Sequence, residues 1–323
     1  MLRLRGSGRR TIGMRTLRIL TLLLGIVPLV AACGQGAPER FPVRVLVITM
    51  FPVETAPWLA RESLPVTIPV AHVHDPLRCA PNGLCVAVIG QGKANAATSM
   101  SEILNSPGLD LSNTYFLTAG IAGTSPRAGT LGFAAWARWV VDWDLGHHVS
   151  PQDSPGAPHG YLPYDDQGTN VFRLNQDLVN RAYELTKALP LMDAPEAVEN
   201  RSHYPGQAGR KPFTSICDTM TGDDYWAGAD LSDEAEYITA TWTKNDGHYC
   251  TTQMEDSAVA TVLARHGVLG RYLSLRTASD FDQPFAGQSV RDVLATFPGA
   301  QAAVENAYRV GSTVAHHLLD QPS

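Results

Sequence analysis

The 323-residue sequence predicts a single α/β domain with a mostly parallel or mixed central sheet flanked by helices, and three observations carry that prediction. Short apolar, β-branched runs of strand length recur along the chain. Between and after them lie segments with apolar residues at three- and four-residue spacing. The balance of 44% hydrophobic to 17% charged residues is that of a chain burying a substantial core, which excludes intrinsic disorder, collagen-like repeats and a small disulfide scaffold.

Strands are expected at Val43–Thr49, Val66–Val73, Leu84–Ile89, Tyr115–Ala119, Ala135–Val141 and Arg271–Leu275, where apolar and β-branched residues cluster between turn signals. Helices are expected at Lys93–Leu104, Leu174–Leu189, Met254–His266 and Ala302–Leu319. Asn175 and Ser232 suit N-caps, and Gly267 follows the third helix as a C-capping glycine does. No internal repeat of 20–50 residues occurs, and only the Pro/Gly-rich stretch 150–168 is compositionally biased. In such folds ligands bind beyond the carboxyl ends of strands, so strand-to-loop junctions are where chemistry is expected.

The first 32 residues stand apart. They hold six Arg and no acid, then an apolar run from Ile19 to Val30 broken by Gly25 and Pro28, which is the pattern of a processing signal. The run is too short and broken for a comfortable membrane span. Val30-Ala31-Ala32-Cys33 resembles the lipobox of bacterial lipoproteins, whose Cys becomes the lipidated first residue; ordinary secretion with cleavage near Ala32 is the alternative. The expected organisation is a lipoprotein signal peptide at 1–32, a lipidated linker at 33–42 and one domain at 43–323, held outside the cytoplasm by a lipid anchor at Cys33. Without the leader, 19 Lys and Arg face 31 Asp and Glu, a surface that repels polyphosphates and excludes nucleic acid as a partner.

Disulfides persist in that compartment. Cys79 and Cys85 bracket Ala-Pro-Asn-Gly-Leu, a tight-turn sequence that suits a disulfide across a hairpin, and Cys217 and Cys250 would then close a longer loop; four buried thiols are the alternative. Neither CxxC nor clustered His/Cys spacing occurs, so no metal is expected. His72, His74, His147 and His148 read as surface or structural residues.

Two glycine-rich segments follow strands. Gly90-Gln91-Gly92-Lys93-Ala94-Asn95 fails both the dinucleotide and the P-loop pattern, so close packing of a helix on the sheet explains it when taken alone. Thr118-Ala119-Gly120-Ile121-Ala122-Gly123-Thr124 reads as a turn with backbone N–H groups open to an oxyanion or a sugar hydroxyl. Together with Val140–Asp144, Thr221–Trp226, Gln253–Ala258 and Leu275–Asp280, their order resembles the purine nucleoside phosphorylase and nucleosidase superfamily over most of the chain. CDTMTGDDYW, YCTTQMEDSA and LRTASDFDQP are more specifically similar to the purine nucleoside permease family, described in fungi and also found in bacteria. Cys217 and Cys250 fall inside these matching segments, which supports pairing them. That family commonly carries Asn where Asp280 stands, so an acid here favours retained chemistry.

The resemblance implies a nucleoside phosphorylase-like fold and a purine nucleoside as partner. Cleaving a purine N-glycosidic bond leaves an oxocarbenium-like ribosyl group and a purine anion, so the base needs a proton donor at N7, and a strand-end carboxyl supplies one. Asp280 is the expected general acid, oriented by Ser279; Glu255 is expected to grip ribose hydroxyls and Met254 to pack on the sugar. Tyr225 is expected to stack on the purine and Trp226 to line the same pocket, with Gly120 contributing backbone N–H groups. Helix-terminus charges, a cap and ordinary core account for these residues otherwise. Glu54, near the end of the first strand, is the candidate activator of water; Arg127 and Arg276 are candidate anion contacts if inorganic phosphate is a co-substrate. No cofactor is expected, and hydrolysis and phosphorolysis stay open. The leading functional expectation is purine nucleoside recognition and uptake by an extracytoplasmic lipoprotein, the bacterial periplasm being its compartment. The alternatives are a purine nucleoside N-ribosyl-cleaving enzyme and a non-catalytic nucleoside-binding sensor; an oligomer is compatible with each.

Overall fold

The computed structural model describes residues 40–321, and the expected signal segment and Cys33 lie outside them. Pairing begins two residues ahead of the expected domain boundary. Here β1 (Phe41–Pro42) is followed by β2 (Val45–Thr49), α1 (Pro52–Arg61), β3 (Val66–Ile68), β4 (Leu77–Cys79), β5 (Leu84–Val88) and α2 (Lys93–Leu104). Then come β6 (Leu109–Asp110), β7 (Tyr115–Thr124), β8 (Ala134–Asp142), β9 (Gly146–His148), β10 (Tyr161–Pro163) and β11 (Val171–Arg173). The second half holds α3 (Gln176–Thr186), α4 (Pro195–Arg201), β12 (Thr214–Thr221), α5 (Ala229–Thr243) and β13 (Tyr249–Gln253), then α6 (Asp256–Arg265), β14 (Tyr272–Phe281), α7 (Val290–Ala295) and α8 (Ala300–Asp320).

Ten strands form one mixed sheet in the order β11-β8-β12-β13-β7-β2-β5-β4-β3, with β14 paired to both β7 and β8. The parallel pairs β2–β5, β2–β7 and β7–β14 form its centre, and every residue of β2 and β14 is buried, as strands covered on both faces must be. Because β13 runs antiparallel to β7 and β14 antiparallel to β8, the strands β7, β14, β8, β12 and β13 close on one another. That closure gathers several strand ends around one point, where an open sheet would spread them along an edge. The largest buried cluster joins β2, β5, β7 and β14 to α1, α2, α6 and α8, with Trp58 and Met100 fully enclosed.

Several boundaries differ from expectation. The second expected strand stops at Ile68, because Pro69 and a left-handed His72 (φ 60°) turn the chain. The expected turn at Thr118–Thr124 is instead the second half of β7, since its small residues continue the strand where β14 pairs along it and β13 joins at Gly123 and Thr124. Ser232 is not an N-cap: α5 starts after Gly228, and the Ser232 hydroxyl donates to Asp282 from inside the helix. Asn175 does cap α3 through Asp177 and Leu178, and Gly267 (φ 72°) ends α6 with the paired backbone bonds of a Schellman motif. Cys79 is bonded to Cys85 across the β4–β5 hairpin, and Cys217 to Cys250 between β12 and β13.

Candidate functional site

The carboxyl ends of β2, β7, β13 and β14 surround a cleft of about 410 Å³. Glu54, Tyr225, Met254, Glu255, Ser279, Asp280 and Phe297 line it, bringing six of the sequence-expected site residues together.

Glu54 arrives on the first turn of α1, which Pro52 opens. Its Oε2 accepts from Met50 N at 2.8 Å and its Oε1 from Ile121 N at 2.8 Å, so the carboxylate bridges the end of β2 to the middle of β7. Burial pushes its pKa up to about 7, against the lowering influence of Arg276 and the two amides. Gly120 makes room for this arrangement: a Cβ there would stand 2.9 Å from Glu54 Oε1 and 2.0 Å from Met50 Cε. Gly120 therefore gives space to a carboxylate, and the neighbouring Ile121 N–H, expected to be open to a ligand, is already donating to Glu54.

The β13-to-α6 junction delivers Gln253, Met254 and Glu255. Gln253 Oε1 accepts from Glu255 N at 2.8 Å and Asp256 N at 2.9 Å, so its carboxamide caps the helix and fixes the turn. Glu255 accepts from Gly92 N at 2.9 Å and from Arg276 Nη2 at 3.1 Å. Burial raises its pKa, with Arg276 pulling the other way. The glycine loop ahead of α2 thus meets carboxylates of the chain itself: Glu255 at Gly92 N, and Asp223 at Lys93 N at 2.7 Å. The Lys93 ammonium, in turn, pairs with Asp142 and Asp144, the spaced acids at the end of β8.

Arg276 is fully buried. It donates to Asp256 from Nε and Nη2 (3.1 and 2.7 Å), to Glu255, and from Nη1 to the Ile121 carbonyl at 3.1 Å. Its charge is thereby matched by two carboxylates. Arg127 lies elsewhere, on the surface, paired with Asp233. Among the described residues lining the cleft, Glu54, Glu255 and Asp280 outnumber the single guanidinium.

Asp280 reaches the cleft through a break in register. Ala278 pairs with Ala122 and Asp280 with Gly123, so Ser279 is the extra residue of a bulge that re-aims the strand end. The Ser279 hydroxyl lies 2.6 Å from Asp280 Oδ1, and Tyr225 Oη donates to Oδ2 at 3.2 Å. Burial holds the Asp280 pKa up to about 7, opposed by those two hydrogen bonds and assisted by the charge of Asp282. Glu54 lies at Gly120–Ile121 and Asp280 at Gly123. Two to three residues of strand separate them, roughly 7–10 Å.

The Tyr225 ring is stacked on Phe297, centroids 6.0 Å apart, and both are partly exposed at the rim. Trp226 is turned away, stacked on Trp143 at 5.3 Å within a separate buried cluster, so it belongs to the core. Phe297, Gln253 and the pairing role of Asp256 escaped the sequence reading. The last two stand inside a quoted motif segment, whereas nothing in Thr296-Phe297-Pro298 marks a site.

Two solved structures are similar in fold. Futalosine hydrolase of Helicobacter pylori aligns with a TM-score of 0.56 at 15% identity, over 85% of this chain and 98% of that one. The 5'-methylthioadenosine/S-adenosylhomocysteine nucleosidase of Neisseria meningitidis aligns with a TM-score of 0.53 at 15% identity, over 85% and 99%. Among curated proteins, a probable purine nucleoside permease of Schizosaccharomyces pombe is 31% identical over 95% of this chain and 98% of its own length. A purine nucleoside permease of Candida albicans is 33% identical over 90% and 78%. These named relatives are fungal, and the family model for purine nucleoside permease matches residues 42–322. The chain belongs to the purine nucleoside permease family.

Proposed function

We propose that this chain binds purine nucleosides in the cleft and hydrolyses their N-glycosidic bond, serving nucleoside uptake by capture and cleavage outside the cytoplasm. The observation carrying this reading is the pair of buried carboxyls, Glu54 and Asp280, set apart along one cleft and both raised to about 7. Asp280 protonated gives its proton to N7 of the departing purine, while Glu54 ionised takes a proton from the attacking water. Their separation leaves room for a ribosyl group and that water, as paired carboxyls in hydrolysis of sugars do. Glu255 holds ribose hydroxyls with its free lone pairs, and the Met254 thioether packs on the sugar. Occupation of Arg276 by Glu255 and Asp256 favours water over phosphate as the nucleophile.

Lipidation at Cys33 of a bacterial-type lipoprotein signal completes the reading, with the two disulfides suited to an oxidising compartment. Among the described residues no helix is long and apolar enough to cross a membrane, which suits a role in capture. Two variants test the chemistry. Asp280→Asn and Glu54→Gln should each lower kcat for inosine roughly 100- to 10,000-fold with little change in KM. Full activity in either variant would remove that residue from the mechanism. Loss of membrane association in Cys33→Ser tests the anchor, and unchanged fractionation would refute it.

A further inference from the structure

We propose that Asp282 is a positioning residue for the proton donor of the cleft: a second buried carboxylate that ties down the loop carrying Tyr225 and keeps the proton on Asp280. The inference rests on the reading of Asp280 as the acid that meets the purine.

Asp282 follows β14 and is 1% exposed. Its Oδ2 accepts from Tyr249 Oη of β13 at 2.8 Å and from Ser232 Oγ of α5 at 2.9 Å, while Oδ1 is buried with no partner. Its backbone is equally engaged: the N–H donates to the Thr124 carbonyl at the end of β7, and its carbonyl accepts from Gly228 N at 2.8 Å. Gly228 closes the segment that begins after β12 and holds Tyr225, whose hydroxyl meets Asp280. One residue thus joins β7, β13, α5 and the Tyr225 segment immediately beside the acid.

A buried carboxylate with a single satisfied oxygen costs stability, so a purely structural tie would be better served by a neutral amide. What the amide lacks is charge. Two residues along the chain, a negative Asp282 opposes ionisation of Asp280 and so favours its acid form at neutral pH. The other groups facing this pair do not supply that effect. Arg127 of the β7–β8 connection and Asp233 of α5 neutralise each other, and Tyr204, Tyr225 and Tyr249 stay protonated because burial raises all three.

The test uses the complete chain with Asp282→Asn, Tyr249→Phe and Ser232→Ala, and two pH profiles, adenine binding by intrinsic fluorescence and inosine cleavage. In the wild type both are lost as pH rises through the Asp280 transition. Asp282→Asn keeps the hydrogen bonds but removes the charge, so this limb should move down by about 0.5–1 pH unit, lowering cleavage at pH 7.5 by about three- to tenfold and restoring it at pH 6. Tyr249→Phe and Ser232→Ala, which leave Asp282 less ionised, should move the limb the same way by less, and they decide the matter if Asp282→Asn does not fold. A uniform loss at every pH with the limb unmoved, a limb moved upward, or adenine binding without any such limb would overturn the proposal. If the wild type binds adenine but cleaves nothing, the hydrolytic reading fails, and the binding limb still tests Asp282.

Discussion

Replacing Gly120 with Ala should strike Glu54, the carboxylate proposed to activate water, without touching the base. The added Cβ would stand 2.0 Å from Met50 Cε, 2.9 Å from Glu54 Oε1 and 3.1 Å from Arg276 Nη1. Met50 can swing its methyl aside at small cost. Glu54 cannot, because both its oxygens are held at 2.8 Å by the amides of Met50 and Ile121. Reaching an ordinary 3.4 Å contact means a retreat of about 0.5 Å, which stretches the Ile121 hydrogen bond beyond its normal range. Misplacing a reacting group by that much should cost roughly 10- to 100-fold in kcat, and overpacking should cost about 1–3 kcal/mol of stability. The assay compares base release from inosine, adenine affinity and thermal unfolding. A folded variant with wild-type kcat would refute the space argument. Adenine affinity falling as far as kcat would instead place Gly120 against the base.

Two further outcomes follow from the geometry. Glu255→Gln should weaken binding of ribosides about 10-fold or more while leaving free purine bases nearly unchanged, by titration calorimetry, and equal losses would contradict a ribose contact. Glu54 and Asp280 have folded pKa values raised above 4.5 and 3.8, so ionising them in place destabilises: the penalty is absent below about pH 4, grows as pH rises towards 7 and persists above. Glu54→Gln should therefore gain up to about 3 kcal/mol over the wild type at pH 8 and nothing at pH 4, by denaturant unfolding, whereas a pH-independent difference would show that the carboxyl is not strained by burial.

Regular apolar segments were legible in the sequence because their pattern alone determines them. Lys93–Leu104 forms α2 with the expected bounds, and the β2 run is buried at every position. β12 and β13 were harder, since Thr, Ser, Cys and Asp dominate them and their burial comes from neighbouring strands that no local pattern announces. Helix α1 was hidden by Pro52 and Pro57, the first acceptable at the start of a helix and the second an interior break that packing of Trp58 overrides. In the site, Glu54, Met254, Glu255, Tyr225 and Asp280 were found through the family resemblance of the segments that carry them. The carboxylate partners of Arg276 were not legible, because only the fold brings Asp256 and Glu255 against it. Trp226 follows Tyr225 directly, yet faces Trp143 in the core.

Incubating the mature chain with inosine in ¹⁸O-labelled water, with and without inorganic phosphate, measures the nucleophile directly. If Glu54 activates water opposite Asp280, hypoxanthine appears at the same rate in both mixtures and the sugar product is ribose carrying ¹⁸O at C1. Ribose phosphate formed only when phosphate is present, or tight inosine binding with no base released, would contradict hydrolysis in this cleft.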